Sequence, residues 1–163
     1  MNTTRLQLLP IGLDDAGFIY ELLNSEGWLK FIGDKQIATI KKAEEYIVNN
    51  LMPSYEKHGF GLLKVCLGNG VPIGICGLLK RDYLDYVDLG FAFLPAYEGF
   101  GYAYEASNAM VQFGKNQLKS SSILAICKES NTRSLALLNK LGFTKKDKIQ
   151  PQPDAEELLL LSI

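Results

Sequence analysis

The sequence predicts a mixed α/β fold in three layers, with helices covering both faces of a mixed, mostly antiparallel sheet. Three observations carry this reading. Two apolar runs, Phe60 to Leu67 and Val71 to Leu79, flank Gly68-Asn69-Gly70, and Asn-Gly between such runs is the strongest short-range hairpin signal. Within Asp88 to Gln117 the apolar period changes from two to 3.6, so a strand hands over to a helix. The full element order, β-α-α-β-β-β-α-β-α-β-β, combines hairpins with helical crossovers, which requires both strand directions in one sheet.

Each element has its own signal. Arg5 to Leu9 reads as a short strand ended by Pro10. Asp14 is placed to cap a helix that runs to about Ser25 and turns Phe18, Leu22 and Leu23 inward. Trp28, Phe31 and Ile32 fall in a connection bounded by Gly27 and Gly33. A second helix starts at Thr39, aligns Ile40, Ala43, Ile47 and Leu51, and ends near Pro53. After the hairpin, Lys80 to Asp85 is a polar turn into the central strand. There Val87, Leu89, Phe91 and Phe93 share one face, with Asp88, Gly90 and Ala92 on the other. Pro95 stops the ladder, and the helix after Gly101 carries Tyr102, Ala106, Ala109, Met110 and Phe113 on one stripe. Ser122 to Cys127 is a strand, and Asn131 to Leu141 a helix closed by Gly142. Phe143 to Lys148 and Glu157 to Ile163 are final strands around the loop Gln150 to Asp154. No segment repeats, and residues 1–163 read as one domain.

Composition narrows the function. The chain has 163 residues, 47% of them hydrophobic, enough for one globular core. A net charge of −1 with scattered Lys and Arg gives no basic footprint, so no nucleic-acid partner is expected. No apolar run reaches membrane-spanning length, and MNTTRLQLLP lacks the pattern of a signal peptide, which points to a cytoplasmic protein. The three cysteines, Cys66, Cys76 and Cys127, form no CxxC pair and read as reduced, buried small hydrophobes. The single histidine, His58, reads as exposed, and no ligand spacing for a metal occurs.

The central stretch nevertheless carries chemistry. A strand that passes through small residues into a helix presents unpaired N–H groups at the positive end of the helix dipole, an anion site made of main chain. Two nucleotide-binding motifs do not match. A Walker A loop needs Gly-Lys-Ser/Thr, and Gly101 is followed by Tyr102 and Ala103. A dinucleotide fingerprint needs glycine where Tyr104 stands.

A third pattern does. Glu98-x-x-Gly101-x-Ala103 resembles the Gln/Arg-x-x-Gly-x-Gly/Ala signature of the GNAT N-acetyltransferases, in the expected strand–turn–helix setting. Asn131-Thr132-Arg133-Ser134 followed by Leu141-Gly142-Phe143 resembles the family's second hallmark. Thr4-Arg5-Leu6, Leu9-Pro10 and Asp14-Asp15-Ala16 are similar to the N-terminus of the branch that acetylates ribosomal-protein N-termini and small amines.

The resemblance implies a GNAT fold splayed at its central strand, with acetyl-CoA and an amine acceptor as ligands and no metal. CoA pyrophosphate would sit on the N–H groups of Gly99, Phe100, Gly101, Tyr102, Ala103 and Tyr104. Pantetheine would run beside Phe91, Ala92 and Phe93 like an added strand, with Gly90 as the bulge that opens the slot. Asn131 would bind pantetheine, with Ser134 close by, although Asn is also a preferred helix cap. Direct transfer in a ternary complex needs a base for the ammonium, a donor for the oxyanion near Phe91 to Phe93, and an acid for the thiolate. Many members carry a tyrosine seven residues after the motif asparagine, and here Leu138 stands there. In the branch it resembles, a serine in the Asn-x-x-Ser pattern can take the role, which implies Ser134 as the candidate acid, or only a CoA ligand or cap. Asp88 is the candidate base, or an ordinary solvated or salt-bridged carboxylate. Trp28, Phe31, Tyr83 and Tyr86 are candidates for the acceptor pocket, or ordinary aromatics. Glu98 replaces the common Gln/Arg, and a carboxylate near a pyrophosphate is unfavourable unless it points away. The missing tyrosine keeps a second reading, a catalytically weak acyl-CoA sensor or scaffold. The chain fits a monomer or a homodimer equally.

Overall fold

The computed structural model describes residues 1–153 and 155–163, so Asp154 of the predicted Gln150–Asp154 loop lies outside them. Seven strands form one sheet: β1 (Leu6–Leu9), β2 (Leu62–Leu67), β3 (Pro72–Leu79), β4 (Asp88–Phe93), β5 (Leu124–Cys127), β6 (Thr144–Ile149) and β7 (Leu158–Ser162). Their spatial order is β1-β2-β3-β4-β5-β7-β6. All pairings are antiparallel except that of β4 with β5. The Asn69-Gly70 hairpin forms as expected. Gly70 takes φ +86°, and its N–H donates to Leu67 O at 2.8 Å.

Helices lie on both faces. α1 (Ala16–Leu23), α2 (Glu26–Phe31), α3 (Ile40–Tyr46) and α4 (Met52–His58) cover one side. Their buried residues, among them Ile19, Leu22, Trp28, Ala43, Ile47 and Leu51, join Ile75 and Leu94 in one cluster. α5 (Tyr102–Asn116) and α6 (Thr132–Lys140) cover the other side. Ala106, Met110, Val111 and Leu138 pack there with Leu78, Leu89, Ile123 and Phe143. The α5 stripe is thus as the 3.6 period requires, widened by Ser107 and Gly114.

Four local expectations change. Asp15, not Asp14, organises the first helix: its Oδ2 accepts from the Gly12 N–H at 2.9 Å over a 3-10 turn, Leu13–Asp15. Residues 26–31, expected as a connection, form α2. Pro53 does not end the second helix. The helix passes through a π-turn, Ile47–Leu51, and resumes as α4 with Pro53 in its first turn, where no intrahelical partner is waiting for the missing N–H. His58 is half-buried, its ring 5.7 Å from that of Phe60.

The N-terminal segment is tied to α5. Glu105 Oε1 accepts from Thr3 Oγ1 at 2.6 Å and from the Arg5 N–H at 2.8 Å, and Glu105 Oε2 takes Arg5 Nε at 2.6 Å. Burial alone would push the Glu105 carboxyl up, but these hydrogen bonds outweigh it and hold it below the ordinary glutamate value. They pin β1 to the first turn of α5. Glu105→Ala should lower unfolding free energy by about 2 kcal/mol at neutral pH, measured in urea. A depressed carboxylate stabilises above its unfolded pKa and loses that stabilisation as pH falls through the folded value. The gap between wild type and variant should therefore close in acid. A gap that persists there would mean the pin does not depend on the charge.

Candidate active site

The site begins with a missing ladder. β4 pairs with β3 along its whole length, from Leu79↔Asp88 to Gly74↔Phe93. With β5 it shares one pair, Asp88↔Leu124, closed by the Leu124 N–H to Val87 O at 2.9 Å. β5 is held from its other side by β7, over Leu124 to Cys127. Past Asp88 the two parallel strands diverge and leave a gap in the sheet. The main-chain groups that face it follow from alternation. Leu94 N–H donates to Ile73 O, so residues of its parity, Gly90 and Ala92, bond to β3. Val87 O faces β5, so beyond the Asp88↔Leu124 pair Phe91 and Phe93 aim their N–H and C=O groups into the gap. Ala92, expected among the pairing residues, has its main chain committed to β3. Gly90 is no bulge either: β3 and β4 stay in register there, and the gap comes from β5 turning away.

The open end of the gap meets the positive end of α5. After the turn Pro95–Tyr97, Gly99 and Gly101 take φ +84° and +80°, conformations that favour glycine. The first hydrogen bond of α5 is Glu105 N–H to Gly101 O, so the N–H groups of Gly101, Tyr102, Ala103 and Tyr104 have no helical acceptor. Those of Gly99 and Phe100 precede them in the same turn. Arg5 lies alongside. Its Nη1 donates to Phe100 O at 2.9 Å, and its guanidinium sits 4.7 Å from the centre of the Tyr102 ring. Tyr104 is covered by Lys140 of α6, at 4.7 Å from its ring centre.

Across the gap stands α6. Asn131 is its N-cap, with Oδ1 accepting from the Ser134 N–H at 3.2 Å. Arg133, one position before Ser134, pairs with Glu98. The Glu98 charge therefore faces a cation on the opposite wall. Leu138 is buried in the core. α2 closes the same end. Lys128 Nζ, just past β5, donates to Lys30 O at 3.2 Å, and Glu98 Oε1 lies 4.0 Å from where a Cβ on Gly27 would be. Phe31 is half-buried beneath the Lys30 ammonium, and Trp28 is buried.

At the closed end, Asp88 is 1% exposed and both its oxygens lie 3.0 Å from Arg81 Nε. Burial pushes its carboxyl above the ordinary aspartate value, against the opposing pull of the Arg81 charge. Arg81 Nη1 also donates to Tyr83 Oη at 3.2 Å. Tyr83 and Tyr86 are exposed on the β3–β4 loop. Cys127 ends β5, with its thiol pushed up to about 11 by burial, which removes it as a nucleophile. Among the described residues no group of His, Cys, Asp and Glu could hold a metal ion, and no helix is long and apolar enough to cross a membrane.

Known proteins agree with this architecture. The model of the GNAT acetyltransferase domain matches residues 5–144. A curated relative, the uncharacterized N-acetyltransferase YnaD of Bacillus subtilis (strain 168), is 25% identical over 147 residues, covering 90% of this chain and 83% of its own. The acetyltransferase crystal structure from Agrobacterium tumefaciens superposes with TM-score 0.83 at 23% identity, covering all of this chain and 92% of that one. The ribosomal-protein-S5-alanine acetyltransferase of Vibrio fischeri superposes with TM-score 0.79 at 18% identity, covering 100% and 94%. The chain belongs to the GNAT acetyltransferases, enzymes that draw their acetyl group from acetyl-CoA.

The structure thus brings the Gly99–Tyr104 turn, Phe91, Phe93, Asn131 and Ser134 to one gap, with Asp88 at its closed end. Tyr83 joins through Arg81, and Tyr86 is exposed on the same loop. Sequence reading missed Arg81, Arg133 and Arg5, each of which answers a carboxylate of the site or its frame. Arg81→Gln should cost about 3 kcal/mol by leaving a buried carboxylate uncompensated, and Arg81→Gln with Asp88→Asn should recover much of it. Additive losses in the urea cycle would show that the pair is not coupled.

Proposed function

We propose that this chain, as one domain, transfers acetyl from acetyl-CoA directly to an amine bound with it in a ternary complex. The observation that carries the reading is the gap past Asp88↔Leu124, because it opens on the unpaired N–H groups of Gly99 to Tyr104. Unpaired main-chain donors at a helix N-terminus suit a pyrophosphate, and an edge with free N–H and C=O groups at Phe91 and Phe93 suits the amides of pantetheine. Asn131 uses Oδ1 for its cap, which leaves Nδ2 to a pantetheine carbonyl. Acetyl-CoA supplies the acetyl thioester.

The sheet divides the remaining work between its faces. Asp88 shares its strand face with Gly90 and Ala92, on the side of α1 to α4, and there it takes the proton from the acceptor ammonium. The free amine then forms the N–C bond as the C–S bond breaks. Ser134 stands on the side of α5 and α6, where its hydroxyl gives a proton to the departing thiolate and is restored by the second proton that the new amide nitrogen sheds. The Phe91 N–H, aimed into the gap, is the donor for charge on the acetyl oxygen. The acceptor is a protein N-terminus or a small amine.

Titration with acetyl-CoA and desulfo-CoA, followed by thiol release against amines and N-terminal peptides, tests the reading. Micromolar binding with amine-dependent release is expected. Asp88→Asn and Ser134→Ala should each lower kcat by about 100-fold and leave acetyl-CoA affinity in place. Two unchanged rates would remove both assignments. Asp88 must be ionised to act, and its pKa is raised, so kcat/KM should fall with acid above the ordinary aspartate range; Asp88→Asn should lack that limb. Arg133→Ala should weaken acetyl-CoA binding about threefold by leaving the Glu98 charge unanswered, and Glu98→Gln should restore it. Equal affinities across that cycle would show that Glu98 does not sense the phosphates.

A further inference from the structure

Among the described residues, Trp28 Nε1 is the one buried side-chain nitrogen or oxygen without a hydrogen-bond partner. Buried indole N–H groups ordinarily find an acceptor, and an orphan in a native core calls for a reason. Trp28 is 5% exposed, so bulk solvent does not supply one.

Its position does. α2 bridges the open end of the β4–β5 gap, held by Lys128 Nζ to Lys30 O on the β5 side and lying against Glu98 on the β4 side. The Trp28 ring belongs to the cluster that takes in Ala92 and Leu94 at the end of β4. That cluster fills the face towards α1 to α4, the face to which Asp88 also points. The pantetheine-facing groups of Phe91 and Phe93 lie in the plane of the sheet, and α6 lies beyond it. The Trp28 ring is therefore on the face assigned above to the acceptor.

The nature of the acceptor atom follows from charge. Indole is a neutral donor in an apolar cluster. Two nearby cations are engaged, Lys128 with Glu156 at 2.8 Å and Arg133 with Glu98, and the third, Lys30, is exposed to solvent over the Phe31 ring. A carboxylate would be desolvated there without a counter-ion, whereas an uncharged carbonyl needs only the one donor. Di- and polyamines offer no oxygen and would leave the indole unpaired, a loss that a site built for a hydrogen bond punishes.

Resting on the acetyltransferase reading above, we propose that Trp28 is a specificity-determining residue. Its indole N–H takes a carbonyl oxygen beside the reacting amine and selects α-amino amides and peptide N-termini over oxygen-free amines.

Trp28 is the only tryptophan, so indole-15N labelling gives one cross-peak for this N–H. The protein is titrated with desulfo-CoA, then with alaninamide, short N-terminal peptides, free alanine or spermidine. The cross-peak should move downfield with alaninamide or peptide, and stay in place with desulfo-CoA alone and with spermidine. Trp28→Phe keeps the ring and removes the donor. It should raise KM for alaninamide or peptide about fivefold, with kcat and acetyl-CoA affinity held. Movement on desulfo-CoA alone would assign the donor to the cofactor, an equal response to spermidine would remove the selectivity, and a peak unmoved by the whole panel would leave the indole structural. Each of these overturns the proposal. Desulfo-CoA binding and thiol release are read separately, so failure of the acetyltransferase reading is not confused with failure of the Trp28 assignment.

Discussion

The site depends on β4 and β5 meeting at one residue pair. Each strand is fully held from its other side, β4 by β3 and β5 by β7, so neither needs the other to stay in the sheet. The cost is a row of main-chain groups left without a ladder, and buried groups of that kind must find partners. A sheet that leaves such an edge open inside itself, beside a helix N-terminus, is prepared for a ligand that brings its own amides and phosphates. The side chains that line the gap matter less than the register that opens it.

Charge is handled with the same economy. The amino end of α5 favours an anion, yet two glutamates stand beside it, Glu98 before the turn and Glu105 in the first turn of the helix. Each is answered by an arginine from a distant part of the chain, Glu98 by Arg133 and Glu105 by Arg5. The Arg5 guanidinium reaches the turn itself through Phe100 O. The positive end of the helix is thus left to the ligand, and the departure from the common Gln/Arg at position 98 is compensated on the opposite wall. The surface pair Glu98–Arg133 adds little to stability, because Arg133 is exposed; what it changes is the local field.

What could be read from the sequence and what could not divide along a physical line. Patterns that are local in the chain were legible: the Asn69-Gly70 hairpin, the α5 stripe, and the α6 helix from its Asn131 cap to Gly142 at φ +95°. So was the family, through two motifs whose spacing the fold requires. Features that depend on contacts far along the chain were not. Nothing near Glu105 announces Thr3 and Arg5, and nothing near Asp88 shows that it would be buried against Arg81. Two local rules also misled. Pro53 was expected to end a helix, but after the Ile47–Leu51 π-turn its missing N–H falls at a new start. Gly90 was expected as a bulge, but its small size serves close packing: a Cβ there would come within 3.2 Å of Leu79 Cδ1 and 3.3 Å of Leu62 Cδ2.

The two-residue period of β4 then gives one short strand two separate faces. Odd residues send their main-chain groups towards β5 and the gap, and their side chains, Leu89, Phe91 and Phe93, into the core with α5 and α6. Even residues send their main-chain groups to β3 and their side chains, Asp88 and Ala92, to the face of α1 to α4. On the proposed reading, the backbone of these six residues would meet the cofactor and their side chains the acceptor. A slip of one residue would turn Phe91 towards α1 to α4 and Asp88 towards α5, exchanging both faces at once. The long pairing of β4 with β3 fixes that register. The strand can thus leave its other edge open without losing the identity of either face.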